Sequence, residues 1–171
     1  MGMKTLSILG IFGATLIVFM GPPVQSTGIK EANFFKDWSV HIAGKKNKKI
    51  CYIHGKPKKS AGKYKLRGPI YMQVAHRIAS GARNEVSITA GYSYKKGSAV
   101  SVKIDKKYFS MYTDGTTAWS RDDAALVAAM RAGTLMNVTG TSKRGTVTKD
   151  RYSLSGFTAA HKAINRACRK K

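Results

Sequence analysis

Apolar residues recur at every second position over much of this chain, which is the pattern of strands with one buried face. Alternation from 38 to 42 and an apolar run at 50–53, joined by a lysine-rich loop, predict a first hairpin. We predict further strands in the segments 70–78, 86–90, 100–104, 108–112, 134–141 and 146–154. The segment 55–68 contains Pro57, Gly62 and several lysines, so we expect it to be a loop.

One internal segment favours a helix instead. Positions 124–131 are rich in helix formers, and Gly133 follows as a stop. Ser120 precedes this segment, with Asp123 three residues later in place of the usual capping-box glutamate. We therefore expect Ser120 to be the N-cap residue.

A second helix is predicted at the C-terminus, where apolar residues in the segment 157–168 lie at helical spacing on one face. Several short strands, turn residues between them and two short helices predict a mainly β protein. We expect an antiparallel β-sandwich or partly closed barrel with two short helices packed on an edge or end. The chain shows no internal repeat and no linker, so we expect one domain from 27 to 171.

The N-terminus has the pattern of a signal peptide. A short positive start ending at Lys4 precedes an apolar or small run from Leu6 to Met20, and a polar stretch follows. Val24 and Ser26 stand at the third and first positions before the cut that we predict after Ser26. The apolar run is shorter than the ~20 residues of a spanning helix. We expect residues 1–26 to be removed and the protein to be exported to the periplasm or surface; an uncleaved anchor is the alternative.

Export determines how the two cysteines are interpreted. Cys51 lies in the predicted first hairpin and Cys168 on the apolar face of the last helix. In an oxidising compartment these thiols have each other as partners, so we predict a buried structural disulfide. A redox-active pair is disfavoured because there is no CxxC motif, and a thiol that pairs with another protein is the remaining alternative.

Charge is the unusual feature of the composition. The chain has 31 Lys and Arg against 8 Asp and Glu, a formal net charge of +23, which is more than solubility needs. No acidic residue occurs between Asp37 and Glu85. We expect ten cations in this interval to form an anion-binding surface: Lys45, Lys46, Lys48, Lys49, Lys56, Lys58, Lys59, Lys63, Lys65 and Arg67.

The expected partner is an anionic envelope surface, either lipopolysaccharide or phospholipid, or an acidic partner protein. Lysine predominates over arginine, which suits diffuse attraction better than bidentate phosphate recognition. A merely solvated surface is the alternative without a partner. Nucleic acid is the next candidate, because Tyr52, Tyr64 and Tyr71 interleave with the basic segment and aromatic rings beside lysines stack bases. An exported protein rarely meets nucleic acid, so we rank this partner lower.

An enzyme is the third interpretation, in the form of an uncharacterised hydrolase. Nucleophile-elbow, Walker and HExxH patterns are missing from the sequence. The four histidines are scattered, and only His41 and His54 would come together, if the first hairpin has the required register. Four carboxylates occur at predicted turns and a helix start, where aspartate has structural roles: Asp105, Asp114, Asp122 and Asp123. We therefore expect a monomer with no catalysis, cofactor or metal.

Short motifs across nearly the whole mature chain resemble the invasion-associated locus B family. They are Asp37-Trp38, Cys51-Tyr52, Ile104-Asp105 with Phe109, Thr116 to Trp119, Lys143 to Thr146, and Ser153 to Gly156 followed by Ala159-Ala160. The resemblance implies a β-sandwich-like exported protein of a Gram-negative bacterium, periplasmic or surface-exposed. It also implies a link to host-cell entry, the role for which the family is named, or to an ordinary envelope function.

Overall fold

Strands make up about half of the residues that the computed structural model describes, which are residues 30–169, with side chains from 33 onward. The predicted signal peptide lies outside the described residues. The strands are β1 (Lys30–Phe35), β2 (Trp38–Ala43), β3 (Ile50–Gly55), β4 (Lys59–Gly62), β5 (Tyr71–Arg77), β6 (Ala82–Thr89), β7 (Ala99–Ile104), β8 (Lys107–Asp114), β9 (Thr117–Ser120), β10 (Leu135–Thr141) and β11 (Val147–Ser153). The helices are α1 (Asp123–Ala132) and α2 (Phe157–Ala167).

All eleven strands described belong to one antiparallel sheet. Its order is β1-β2-β3-β5-β6-β9-β8-β7-β10-β11-β4, so the sheet is open, with β1 and β4 at its two ends. Most neighbours in the sheet are also neighbours in sequence, because short hairpins are the simplest antiparallel connection. The predicted mainly β antiparallel class with two short helices is confirmed.

Period-two alternation explains which side chains enter the core. In the β2–β3 hairpin, Val40 pairs with Ile53 and Ile42 with Cys51. Val40, Cys51 and Ile53 are buried, whereas the strand residues that alternate with them, Ser39, His41 and Tyr52, are only partly buried. The first predicted hairpin is thereby confirmed.

The first helix begins two residues later than the predicted cap implies. Asp122, not Ser120, is the N-cap residue of α1, and its carboxylate accepts a hydrogen bond from the Ala125 amide at 2.9 Å. Ser120 is the last residue of β9, and its hydroxyl accepts from the Asp122 amide. The prediction of Ser120 as cap was wrong because the preceding segment pairs as a strand as far as Ser120, which moves the chain reversal to Asp122.

The second helix covers the inner face of β2 and β3. It follows Gly156, whose φ of +90° and closeness to the Phe35 carbonyl leave no room for a Cβ atom. Phe157 at the helix start meets Trp38 edge to face, with ring centroids 4.9 Å apart. The Trp38 indole also donates a hydrogen bond to the Ser153 carbonyl. The turn between β11 and α2, and α2 itself, are therefore fixed on the first hairpin.

A disulfide joins the far end of α2 to the sheet. Cys51 on β3 and Cys168 at the end of α2 are bonded, with their Cα atoms 6.0 Å apart and a sequence separation of 117. Both residues are buried. The predicted structural pairing of the two cysteines is confirmed.

Three strands were not predicted. β1 precedes the first hairpin, β9 lies in the segment before α1, and β4 lies within the segment predicted as a loop. All four residues of β4 are exposed, so it has no alternating apolar pattern to reveal it. It forms by backbone pairing with β11, where Ser60 lies opposite Asp150. Between residues 30 and 169, neither helix has the length and apolarity needed to cross a membrane.

Candidate functional site

The ten predicted binding cations fall on three connections of the sheet. Lys45, Lys46, Lys48 and Lys49 occupy the β2–β3 loop, which includes a 3₁₀ turn at 46–48. Lys56, Lys58 and Lys59 surround the start of β4, and the other three lie in the β4–β5 loop. Eight of the nine lysines are exposed. Lys49 is partly buried and donates a hydrogen bond to the Ala167 carbonyl.

Most of this lysine charge is not neutralised by a nearby carboxylate. Among residues 33–169, the ion pairs are Lys58–Asp37, Arg67–Asp150 and Arg77–Glu85. The hydrogen bond from Lys58 lowers the pKa of Asp37 below its ordinary value. The remaining exposed lysines of the interval face solvent, so they create a positive potential around each of the connections that carry them.

Arg67 has to be removed from the predicted binding set. Its side chain is only 3% exposed, and its guanidinium makes two 2.8 Å hydrogen bonds to the equally buried Asp150. It also donates to the Ala90 carbonyl. Burial acts to lower the Arg67 pKa, but the Asp150 carboxylate outweighs it and raises that pKa. Arg67 is therefore a structural cation, because its charge is already paired inside the protein.

A cleft of about 630 Å³ lies beside this pair, between the β4–β5 loop and the β10–β11 turn. Lys63 and Lys65 line one side of it, and Lys143 and Arg144 line the other. All four residues are exposed. Lys143 and Arg144 are not among the ten cations that the sequence predicts to bind anions. They lie at the same cleft as Lys63 and Lys65, some eighty positions earlier, because β4 pairs with β11.

Hydrogen bonds hold both walls of the cleft in place. Arg67 anchors the β4–β5 loop to β11, and Gly68 donates to the Gly91 carbonyl at 2.8 Å. On the opposite wall, the Lys143 amide donates to the Ser93 carbonyl at 2.7 Å. The cleft is consequently formed by loops that are tied to the sheet.

The three tyrosines of the nucleic-acid interpretation occupy two separate places. Tyr52 stacks on His41, with centroids 4.9 Å apart, and Tyr71 lies 4.4 Å from His54. These four rings form a partly buried row across β2, β3 and β5, which we call the ring row. Tyr64 lies elsewhere, at the cleft, with the Arg67 guanidinium 5.2 Å from its ring centroid.

The hairpin register does bring His41 and His54 near each other, with ring centroids 6.2 Å apart. Burial lowers the pKa of both imidazoles. In the part of the chain that the structure describes, no group of three or more His, Cys, Asp or Glu side chains is arranged to hold a metal ion.

The other two histidines form a buried polar network between α2 and the sheet. His76 Nε2 is 2.8 Å from the Asn165 side-chain oxygen, and His161 Nε2 is 2.8 Å from that of Asn84. The Asn84 amide donates to His76 Nδ1, and the two rings lie 6.0 Å apart. Burial lowers the pKa of both groups, to about 4 for His161. These histidines are neutral structural groups at pH 7.

Three of the four carboxylates considered for the hydrolase interpretation have structural contacts. Asp122 caps α1, and Asp123 accepts a hydrogen bond from the Val86 amide at 3.0 Å, which ties α1 to β6. Asp105 lies in the β7–β8 turn with a φ of +49° and accepts from the Thr134 hydroxyl.

Comparisons with known proteins agree with this architecture. A crystal structure of invasion associated protein b from Bartonella henselae is similar, with a TM-score of 0.57 and 19% identity over 81% of this chain and 97% of that chain. At this identity the likeness shows the fold alone. No curated protein matches the chain. The family model described as Invasion associated locus B (IalB) protein matches residues 38–165. Because that match spans well over half of the sequence, the chain belongs to the invasion associated locus B (IalB) family.

Proposed function

We propose that this protein is an exported, non-enzymatic envelope protein that acts by electrostatic binding to an anionic surface. The observation that carries the proposal is a set of eight exposed lysines: Lys45, Lys46, Lys48, Lys56, Lys58, Lys59, Lys63 and Lys65. The first three lie at the Ala43–Ile50 end of the first hairpin, and the others follow Gly55 from its opposite end. Within the part of the chain that the structure describes, Lys58 alone of these has an acidic partner. Apart from the Lys58–Asp37 ion pair, the packing of the described residues does not use these ammonium groups.

Lysines on exposed loops suit an extended charged surface. Each ammonium is a compact charge on a flexible stem, so it follows phosphates whose positions vary. Near an anionic membrane each such residue contributes about 1 kcal/mol, and the attraction falls off within a Debye length. Several lysines acting together therefore give binding that is strong at low salt and weak at high salt.

The envelope location is supported by two observations. The Cys51–Cys168 disulfide is of the kind that persists in oxidising compartments such as the periplasm and cell surface. Family membership connects the chain with proteins named for invasion. We infer a role in host-cell invasion or in envelope integrity, exerted through lipopolysaccharide, anionic phospholipid or an acidic partner protein.

Cosedimentation of the oxidised protein with vesicles tests the proposal. We expect binding to vesicles that contain phosphatidylglycerol, no binding to phosphatidylcholine vesicles, and steady loss of binding as salt rises. A triple variant, Lys45→Glu, Lys46→Glu and Lys48→Glu, is expected to bind at least about tenfold more weakly. The matched control changes three exposed lysines on other elements, Lys106→Glu, Lys107→Glu and Lys162→Glu, and keeps most of the affinity.

Two outcomes contradict the proposal. One is no binding to anionic vesicles even at low salt. The other is equal loss of binding in the two triple variants, which assigns the effect to net charge alone. A nucleic-acid role has one observation in its favour, the ring row of His41, Tyr52, His54 and Tyr71. It predicts tighter binding to a single-stranded oligonucleotide than to vesicles, with a loss on Tyr52→Ala.

A further inference from the structure

We propose that the cleft between the β4–β5 loop and the β10–β11 turn is a binding site for a phosphorylated sugar. This inference rests on the proposed electrostatic function and names a ligand class for one part of the basic surface. Three features of the cleft support it: its charge, its size and lining, and the rigidity of its walls.

The charge of the cleft suits a phosphate group. Lys63 and Lys65 face Lys143 and Arg144 across it, and its described lining contains no carboxylate. The acid bound to the lining residue Arg67, Asp150, has its charge paired by that guanidinium. A phosphate monoester carries close to two negative charges at neutral pH and has three acceptor oxygens. Arg144 offers a planar fork for two of those oxygens, and the lysines add point charges.

The size and lining of the cleft suit more than a phosphate. Its volume of about 630 Å³ lies in the usual range for small-molecule sites and exceeds the needs of a single inorganic ion. Tyr64 is 37% exposed and presents an aromatic ring at the cleft. Ser93 and Thr146 supply hydroxyl groups there. An apolar ring beside hydroxyl groups matches a sugar, whose C–H faces pack on aromatic rings and whose hydroxyls need hydrogen-bond partners.

The walls are already held in the shape that such a ligand would need. The Arg67 guanidinium lies 5.2 Å from the Tyr64 ring centroid and 5.0 Å from that of Tyr92, so it fixes both rings. The Tyr92 hydroxyl lies 2.6 Å from that of Thr148 on β11. Binding would therefore require little ordering of loops. Because loop ordering costs conformational entropy, a preformed cleft loses less binding free energy to it.

Calorimetric titration of the oxidised full chain tests the site with three probes: glucose 1-phosphate, inorganic phosphate and glucose. We expect glucose 1-phosphate to bind at least about tenfold more tightly than inorganic phosphate, and glucose alone to show no measurable binding. Comparable affinity for glucose 1-phosphate and inorganic phosphate overturns the proposal, because the sugar is then not recognised. No binding of glucose 1-phosphate overturns it as well.

Matched variants locate the site. Lys63→Glu with Arg144→Glu is expected to weaken glucose 1-phosphate binding at least about tenfold, whereas Lys45→Glu with Lys46→Glu, the same change in net charge, leaves it unaltered. Tyr64→Ala should weaken binding of glucose 1-phosphate but not of inorganic phosphate. Equal effects of the two charge variants overturn the assignment to the cleft. Circular dichroism of each variant confirms that it is folded.

A further arm identifies the source of the phosphorylated sugar and separates this proposal from the previous one. If vesicles that carry a phosphorylated glycolipid compete with glucose 1-phosphate for the protein, the ligand is lipid-linked. If soluble sugar phosphates compete and these vesicles do not, the ligand is free. Both outcomes support the site. Binding to phosphatidylglycerol vesicles without glucose 1-phosphate binding overturns only the cleft assignment. The reverse result overturns the anionic-surface function and keeps the cleft.

Discussion

Arg67 and Asp150 form a bidentate ion pair in which each side chain is only 3% exposed, and this pair joins the β4–β5 loop to β11. Removing one partner leaves an uncompensated buried charge, which typically costs about 3–5 kcal/mol. We predict that Asp150→Asn lowers the free energy of unfolding by several kcal/mol, measured by urea denaturation.

The double variant Arg67→Met with Asp150→Leu is the control for that change. It removes both charges, so we expect it to recover a large part of the loss. A double-mutant cycle gives the coupling between the two side chains. Additive effects of the single variants would contradict the pair as the interaction that holds this loop.

The disulfide is expected to be a major source of stability. The chain between Cys51 and Cys168 is long, and closing such a loop is worth about 4–5 kcal/mol on the chain-entropy model. We predict that reductant lowers the free energy of unfolding of the native protein by a similar amount, which is seen as a lower midpoint of urea denaturation. The double variant Cys51→Ala with Cys168→Ala should have the lower midpoint with or without reductant. A native midpoint that does not respond to reductant contradicts the prediction.

The buried histidine pair predicts acid sensitivity. Burial, then the neighbouring His76 and Arg131, lower the pKa of His161 to about 4 in the folded protein, against about 6.5 in the unfolded chain. The unfolded chain therefore binds the proton more readily, and folding stability falls as pH drops from about 6.5 towards 4. The loss attributable to His161 reaches about 3 kcal/mol at the acidic end.

His161→Gln tests this dependence. We expect the variant to show a shallower decline of unfolding free energy between pH 6.5 and 4. His41→Gln removes a partly buried histidine from the ring row, on the outer face of the sheet, and should retain most of the decline. The same slope in the native protein and in His161→Gln would show that the pair does not control acid stability.

The position of the α1 cap gives a direct comparison of two residues. Asp122 accepts the hydrogen bond from the Ala125 amide, so Asp122→Ala should cost about 1 kcal/mol of stability. Ser120→Ala should cost less, because its hydroxyl accepts only from the Asp122 amide outside the helix. Thermal denaturation of the two variants measures the order, and a larger loss for Ser120→Ala contradicts the assigned cap.

Two buried tyrosines predict a stabilising substitution. The hydroxyls of Tyr94 and Tyr152 have no hydrogen-bond partner among the described residues, and burial raises the pKa of both. An unpartnered buried polar group is costly, so we expect Tyr152→Phe to raise the free energy of unfolding by about 1 kcal/mol. A clear loss of stability in chemical denaturation would mean that the hydroxyl makes a favourable interaction.

Features that depend on short-range pattern and on counting could be predicted from the sequence alone. Period-two runs revealed the hairpins, a run of helix formers revealed α1, and helical spacing revealed α2. A chain with two cysteines left one intramolecular pairing. The family followed from motifs spread along the chain. The strand, helix and motif signals each lie within a few neighbouring residues, and two cysteines allow only one pairing within the chain.

Contacts between residues that are distant in sequence became known from the folded chain. Strand β4 has no apolar pattern and exists through its pairing with β11, so neither the strand nor the cleft beside it was visible in the sequence. In the sequence, Arg67 is one more cation in a lysine-rich segment. In the fold, it forms a buried ion pair with Asp150. Lys143 and Arg144 join Lys63 and Lys65 for the same reason. Burial and charge pairing depend on long-range contacts, which local periodicity does not encode.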